Sequence, residues 1–374
     1  MRALTTLGWM ISKRRWSAAT LWGLLGLAAI LATACDDHKP SPSLAPSPPP
    51  MRELVYYDWA DDMPQAVFDA FTAEYGIKVK YVTYTSGEEA VANLRAGKVY
   101  DVVAVETQDI PALIADGLLA KINYRNVPNF KNISANFRDL SFDPGNTYTI
   151  PFNWGTTGLL VRSDLVEKPV TRWADLWDER FAGKLIVWSL QRYLLGITLK
   201  SLGYSVNSEN PEQLAAALER LEQIKSRARI MDYDTQVLDD MLASGEVVIL
   251  YGFSGDLERL HKKNSAVHYV LPEEGSVLWG DHFAIPAKSS DQHAAELFIN
   301  FLLRPEIIAL FVNEIHYAAP NDAATPFIEP EIRNDPAIFP SNDLLKAAEI
   351  LLPLGPKGQK LYDETWSRFL AGGR

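Results

Sequence analysis

Apolar positions follow two alternating spacings along the chain, and these spacings predict strands and helices in turn. In the first half, short apolar runs predict strands at 54–57, 77–84 and 101–105, and helical spacing predicts helices at 64–75, 86–96 and 110–116. Gly76 ends the first helix, and Ser86 with Glu89 three residues later is typical of a helix start. A strand–helix order of this kind predicts a mostly parallel sheet with helices on both faces.

The second half repeats the alternation without repeating the sequence. Strands are predicted at 184–188, 247–251, 267–271 and 278–285, and helices at 190–202, 211–227, 256–263, 292–303, 305–312 and 358–370. The fold class predicted from both halves is α/β. A chain of 374 residues is long for one hydrophobic core, so we expect two lobes.

The first fifty residues resemble a bacterial lipoprotein signal followed by a tether. Basic residues at 13–15 precede an apolar stretch from Leu21 to Ala34, which is too short for a comfortable membrane span. Cys35 is the only cysteine and follows small residues, so we expect a signal peptide at 1–34 and a lipid on Cys35. A Pro- and Ser-rich tether then occupies 35–51, and the Asp after Cys35 resembles a signal for retention in the inner membrane.

The net charge of the chain limits which classes of binding partner are expected. Residues 1–34 contain four basic residues and no acid, so their removal lowers the net charge from −11 to −15. A nucleic-acid partner is not expected for such an acidic chain. The acidity agrees with a cationic ligand but supports it only weakly, because it also suits a solvated surface.

Three separate ends of predicted strands present an aromatic residue with a nearby carboxylate. The pairs are Trp59 with Asp61, Phe253 with Asp256, and Trp279 with Asp281. A ring face attracts a cation, and a carboxylate accepts charge-assisted hydrogen bonds, so each pair suits an ammonium group. Ligands of α/β sheets bind at the carboxyl ends of strands, which is where two of these pairs stand.

Each of these residues also has a purely structural interpretation. Asp62 is predicted to cap the helix that begins near residue 64, and Asp61 and Asp256 are also candidates for helix caps. Phe253 and Trp279 are candidates for the core. The recurrence of the pattern, rather than any single pair, favours a ligand site.

From about residue 54 to about residue 321 the chain resembles the polyamine (spermidine/putrescine) periplasmic binding proteins of ABC importers, and it is nearer to their putrescine-preferring branch. The resemblance is carried by YYDWADDMP, YDVVAV, YTIPFNWGTTGLLV, WADLWDERFAGKL, YGFSGD, LWGDHFAIPA and HYAAPN. It implies a two-lobed periplasmic-binding-protein fold of type II, whose lobes close on the ligand around hinge crossovers. Lobe 1 is implied to comprise 52–157 with 281–325, and lobe 2 to comprise 158–280 with 326–374.

The resemblance also implies which residues hold the ligand. An aromatic box of Trp59, Phe253, Trp279 and Tyr317 is expected with the carboxylates of Asp61, Asp256 and Asp281. The sequence departs from the family where Tyr193 stands in place of an amine-binding glutamate, and where Glu106 and Gln108 replace a small hydroxyl residue and a tyrosine. We therefore expect Tyr193 and Glu106 at the ligand as well, and the length and charge of the ligand stay open.

The expected function is the binding of a ligand without a chemical reaction. The resemblance implies a monomeric periplasmic lipoprotein that passes a polyamine to an inner-membrane ABC permease without a cofactor. The same fold with a thiamine-like cation, a modified amine or a metal is an alternative, and so is a polyamine sensor. The six histidines show no metal-binding spacing, and Gly-x-Ser-x-Gly and phosphate-loop motifs are missing, so neither a metal site nor an enzyme is expected.

Overall fold

The folded part of the chain is built on one mixed sheet with helices packed against it. The computed structural model describes residues 52–60 and 62–371. The predicted signal peptide, Cys35, the tether and Asp61 lie outside the described residues. Within those residues, the structure contains no helix with the length and apolar character needed to cross a membrane.

The described residues contain ten strands and twelve helices, which are joined by short 3-10 turns and irregular segments. The strands are β1 Arg52–Trp59, β2 Ile77–Tyr84, β3 Val102–Glu106, β4 Thr149–Arg162, β5 Leu185–Trp188, β6 Ala228–Met231, β7 Ile249–Phe253, β8 Val267–Val270, β9 Val277–Ala284 and β10 Glu349–Ile350. The helices are α1 Gln65–Tyr75, α2 Gly87–Arg95, α3 Ile110–Ala115, α4 Gln191–Ser201, α5 Pro211–Ile224, α6 Thr235–Ser244, α7 Asp256–Lys263, α8 Gln292–Leu302, α9 Pro305–Ile315, α10 Pro330–Arg333, α11 Asn342–Leu345 and α12 Pro356–Ala371.

Two sets of parallel strands are joined through two antiparallel ones. The strand order is β2-β1-β3-β9-β4-β7-β5-β6, with β10 beside β9 and β8 beside β4. Strand β1 runs parallel to β2 and β3, and β5 runs parallel to β6 and β7. Between the two sets, β9 pairs antiparallel with both β3 and β4. The α/β prediction is confirmed.

Three hydrophobic clusters cover the faces of the sheet. One packs strands β5 and β7 against helices α4 and α5, and a second packs β1 against α1, α8 and α9. A third lies under α2 and α3. All five residues of β3 and all five of β7 are buried, as expected for strands covered on both faces.

The predicted elements recur with their ends shifted by a few residues. The hydroxyl of Ser86 accepts a hydrogen bond from the backbone N–H of Glu89 at 3.1 Å and caps α2, and Gly76 ends α1 with φ 66°. Strands β4, β6 and β10 and helices α6, α10 and α11 were not predicted. Strand β4 contains Pro151 and an irregular register before Asn153, and these interrupt the alternation that marks a strand.

Candidate ligand-binding site

A cavity of about 490 Å³ lies where the parallel strands end beside β9. Trp59 ends β1, Glu106 ends β3 and Phe253 ends β7, so the carboxyl edge of each parallel set supplies a wall. Of the predicted site residues, eight line this cavity: Trp59, Glu106, Tyr193, Phe253, Asp256, Trp279, Asp281 and Tyr317. The ninth, Asp61, lies outside the described residues.

The rings of the cavity form a chain of edge-to-face contacts. The ring centroids of Trp279 and Tyr317 are 4.8 Å apart at 89°, and those of Tyr193 and Phe253 are 5.3 Å apart at 84°. Phe253 also meets Trp279, with centroids 6.0 Å apart. Edge-to-face packing fixes the position of each ring and leaves ring faces and edges along the cavity wall.

Two glycines, which have no side chain, let the rings of Tyr317 and Trp279 lie directly against the backbone. A methyl group at Gly255 would lie 2.5 Å from Cε1 of Tyr317, and one at Gly155 would overlap the indole of Trp279. Glycine is therefore required at both positions for the rings to lie where they do.

Strand pairing brings two carboxylates face to face. Trp279 and Asp281 stand two residues apart on β9, so both side chains point to the same face of the sheet. In the antiparallel register of β3 and β9, Asp281 is the direct partner of Glu106. Direct partners have Cβ atoms about 4.5–5.5 Å apart, so the two acids share one small volume.

Burial and like charge make both carboxyl groups weak acids. Burial, and then the neighbouring Asp58, raise the pKa of Asp281 to about 8, although the side chains of Trp59 and Asn153 act against the shift. Burial, followed by Asp109 and Asp281, raises the pKa of Glu106 well above its usual value. A cation between the two acids would relieve their repulsion and favour their ionised forms.

Tyr193 is hydrogen-bonded to one of these acids. Its O–H donates to Oε1 of Glu106 at 2.8 Å, and the side-chain amide of Gln108 donates to Oε2 at 3.3 Å. The contact with Tyr193 lowers the pKa of Glu106 and so opposes burial. The two departures from the family pattern at Glu106 and Tyr193 are therefore in direct contact.

Asp58 lies behind the cavity wall as a further buried acid. Its Oδ2 accepts from the O–H of Tyr56 and its Oδ1 from the backbone N–H of Trp59. Burial raises the pKa of Asp58 to about 7 against these two hydrogen bonds. The sequence pattern did not single out Asp58, because an acidic residue within a predicted strand is usually taken to be a polar residue that faces the solvent.

Asp256 is held by its own surroundings. It is fully buried, and its Oδ2 accepts the backbone N–H of Phe253 at 2.9 Å. Its Oδ1 accepts from Nη2 of Arg259 at 2.9 Å and from the O–H of Tyr233 at 3.1 Å. Asp256 is the first residue of α7, and Gly255 before it occupies the N-cap position. No side-chain hydrogen bond caps the helix at that position.

Comparison with known proteins identifies the family. The model of the family described as bacterial extracellular solute-binding protein matches residues 66–340. The chain is a bacterial extracellular solute-binding protein. It is 33% identical over 322 residues to the spermidine/putrescine-binding periplasmic protein of Escherichia coli K12, covering 85% of this chain and 92% of that one. It is 32% identical over 342 residues to the putrescine-binding periplasmic protein SpuD of Pseudomonas aeruginosa, with the same two coverages.

Solved structures share the fold of this solute-binding protein. The spermidine/putrescine substrate-binding protein PotD of Streptococcus pneumoniae has a TM-score of 0.75 at 30% identity, covering 86% of this chain and 100% of that one. A putative spermidine/putrescine ABC transporter protein from Listeria monocytogenes has a TM-score of 0.80 at 30% identity, covering 85% and 99%. The predicted periplasmic-binding-protein fold is confirmed.

One residue of the solute-binding protein has a different place from the one predicted. Asp62 does not cap α1, because Pro64 occupies the N-cap position and makes no side-chain capping bond. Asp62 is buried in the cavity wall instead, and its Oδ2 accepts from the side-chain amide of Asn153 at 3.3 Å. The partner is 91 residues away in sequence, so local spacing could not reveal it.

Several cavity residues of the solute-binding protein carried no sequence signal. Tyr84, Tyr233 and Arg259 line the cavity, and the ring of Tyr84 lies 4.7 Å from that of Trp59. Tyr84 ends β2 beside β1, so its place follows from strand pairing. The charged residues Asp234, Glu258, Lys262 and Glu314 also line the cavity.

Proposed function

We propose that this solute-binding protein captures a polyamine, or a closely related organic amine, and delivers it to an inner-membrane ABC permease. The observation that carries the proposal is the cross-strand pair of Glu106 and Asp281 beneath a wall of aromatic rings. The names of the relatives in Escherichia coli and Pseudomonas aeruginosa support it.

An ammonium group meets both requirements of this wall. Its N–H groups donate to carboxylates, which are the strongest common acceptors, and its positive charge is attracted to ring faces by about 0.5–2 kcal/mol each. The methylenes of an alkyl amine bury apolar surface against Trp59 and Trp279. Asp61, two residues after Trp59 in the sequence, is proposed as a further acceptor, together with the ring of Tyr317.

Closure around the ligand is the proposed mechanism. Lobe 1 (52–157 with 281–325) and lobe 2 (158–280 with 326–374) would move about the crossing segments of the chain. Glu106 belongs to lobe 1 and Tyr193 to lobe 2, so their hydrogen bond at 2.8 Å would join the two lobes in the closed form. An amine that contacts both lobes shifts the population toward the closed form, which would dock as a monomer on the permease.

Binding can be tested by thermal unfolding and calorimetry with butane-1,4-diamine, pentane-1,5-diamine, spermidine and agmatine. A ligand that binds only the folded protein stabilises it by about 2.7 kcal/mol at a hundredfold excess over its dissociation constant. The matched control is butane-1,4-diol, which has the length of the shortest diamine without its charge. A protein that none of these amines stabilises, or that responds equally to the diol, would refute the proposal.

Attachment to the inner membrane through a lipid on Cys35 is part of the proposal. Export through a signal peptide at 1–34 would place the folded domain in the periplasm, and the Pro-rich tether at 35–51 would hold it off the bilayer. Cys35→Ala should move the protein from the membrane fraction to the soluble periplasmic fraction, whereas Ser41→Ala should leave it in the membrane fraction. Equal fractionation of both variants would contradict the anchor.

A further inference from the structure

The two ends of the cavity differ in how their acids are balanced. At one end, Glu106 and Asp281 form no ion pair with any residue that the structure describes, and both have raised pKa values. At the other end, Asp256 lies one helical turn before Arg259 on α7, and both residues line the cavity. The ends therefore offer a ligand different electrostatic environments.

Arg259 compensates the charge of Asp256 within the protein. Its Nη2 donates to Oδ1 of Asp256 at 2.9 Å, and its Nε donates to Oδ1 of Asp239 at 2.9 Å. The guanidinium therefore bridges two buried carboxylates in a fixed orientation. Tyr233 and the backbone N–H of Phe253 supply two further hydrogen bonds to Asp256.

A second ammonium group does not suit this end. Three donors already approach Asp256, and an ammonium that reached its remaining lone pair would lie close to the positive charge of Arg259. Like charges at such a separation repel strongly where water is excluded. A ligand carboxylate is also unsuitable, because it would approach Asp256 itself.

An amide group suits the paired charges. Its N–H can donate to the remaining lone pair of Asp256, and its C=O can accept from Nη1 of Arg259, since the ion pairs that Arg259 forms with described residues use Nε and Nη2. The rings of Phe253 and Tyr317 give the small apolar part of an acyl group a surface to pack against.

We infer that the cavity selects an amine with one ammonium end, held at Glu106 and Asp281, and one uncharged amide end, held at Asp256 and Arg259. An N-acylated alkyl diamine has this chemistry. The inference rests on the proposed function and deepens it, because it makes Arg259 the residue that sets how many positive charges the ligand carries.

The test compares butane-1,4-diamine with its mono-N-acetyl derivative by calorimetry on the purified protein. The unaltered protein should bind the acetylated amine at least tenfold more tightly, as expected for one charge-assisted hydrogen bond of about 1.5 kcal/mol. Arg259→Met should reverse the preference, because Asp256 then becomes available to a second ammonium.

Lys263→Met is the matched control. Lys263 lies on the same helix, pairs with Asp239 as Arg259 does, and makes no ion pair with Asp256. Its replacement removes the same charge and should leave the preference unchanged. Arg259→Lys keeps the charge at the site and should keep the preference for the acetylated amine.

The outcomes separate this inference from the proposed function. If the unaltered protein binds the free diamine more tightly and Arg259→Met leaves the ratio unchanged, the inference fails and the proposed function stands. If neither amine binds, both fail. If Arg259→Met does not fold, as judged by circular dichroism, the ratio for the unaltered protein and for Arg259→Lys decides the question.

Discussion

At the residue scale, the cavity is defined by carboxyl groups that are costly to ionise in an empty site. Asp281 is 4% exposed and faces Glu106 across a strand pair, with Asp58 behind it. Buried charges of one sign persist only where a counter-charge arrives or a proton is held. These acids therefore promote the binding of a cation and do not stabilise the ligand-free fold.

Asp281→Asn separates these two effects. We expect the affinity for the bound amine to fall at least about 30-fold, since losing one partner of a buried charge pair costs about 2 kcal/mol or more. The unfolding temperature of the ligand-free variant should stay the same or rise, because a buried like-charge contact is removed. Calorimetry and thermal unfolding measure the two quantities.

A surface acid supplies the control for that substitution. Asp343 is exposed, and among the described residues its ion pair is with Lys346 one turn away, so Asp343→Asn should change neither quantity. An Asp281→Asn protein that binds the amine with unchanged affinity would show that the ammonium lies elsewhere.

Local spacing in the sequence predicted the ring-and-acid pairs but not their neighbours. Trp279 and Asp281 are two residues apart, so their shared face follows from strand geometry alone. Tyr233 reaches Asp256 from 23 residues away, and Asn153 reaches Asp62 from 91 residues away. Contacts of this kind depend on tertiary packing, which no local pattern encodes, and the wrong prediction for Asp62 arose in the same way.

At the element scale, α7 positions both the acid and the ring on its side of the cavity. Gly255 precedes the helix, and its bare backbone lies against Tyr317, which in turn meets Trp279. Helix α7 itself was predicted with its observed bounds, Asp256–Lys263, whereas β4 was not, because its Pro and Gly residues break the alternation. Regular apolar spacing therefore revealed α7, whereas the interrupted spacing of β4 concealed that strand.

Gly255→Ala should weaken amine binding without unfolding the protein. The added methyl forces the ring of Tyr317 to move, which removes an edge-to-face contact of about 0.5–1.5 kcal/mol and lowers affinity several-fold. Calorimetry measures the loss. Unchanged affinity would mean that Tyr317 takes no part in binding.

Gly196→Ala is the matched control on α4. The nearest atom to a methyl at Gly196 is 3.5 Å away, an ordinary contact, and alanine favours the helix by about 1 kcal/mol. This variant should be slightly more stable and bind the amine as before.

At the scale of the whole molecule, the buried acids make stability and binding depend on pH in opposite directions. The pKa values of Asp58 and Asp109 are raised to about 7 and that of Asp281 to about 8. The folded protein holds protons that the unfolded chain, with carboxyl pKa values near 4, releases. Their contribution to stability is complete below about pH 4 and is lost as the pH rises through 7–8.

The unfolding temperature of the ligand-free protein should therefore rise by a few degrees between pH 8.5 and pH 6.5. Amine affinity should fall over the same range, because the amine must displace those protons. Burial lowers the pKa of His282 to about 3, so His282 alone opposes part of this gain in stability as the pH falls below about 6.5. Calorimetry in two buffers of different ionisation enthalpy measures the protons released on binding, and zero release would contradict this coupling.

The placement of Asp256 and Arg259 on one helix turn has a consequence for how ligand choice diverges among related sequences. Arg259 belongs to α7 and not to a strand of the sheet, and its contacts are with acids on α6 and α7. If Arg259 sets the charge of the ligand, as inferred above, a single substitution at that position changes the number of charges that the cavity accepts without altering the residues of the aromatic wall or of β9. On that inference, a lineage can exchange one amine for another through a single substitution in α7.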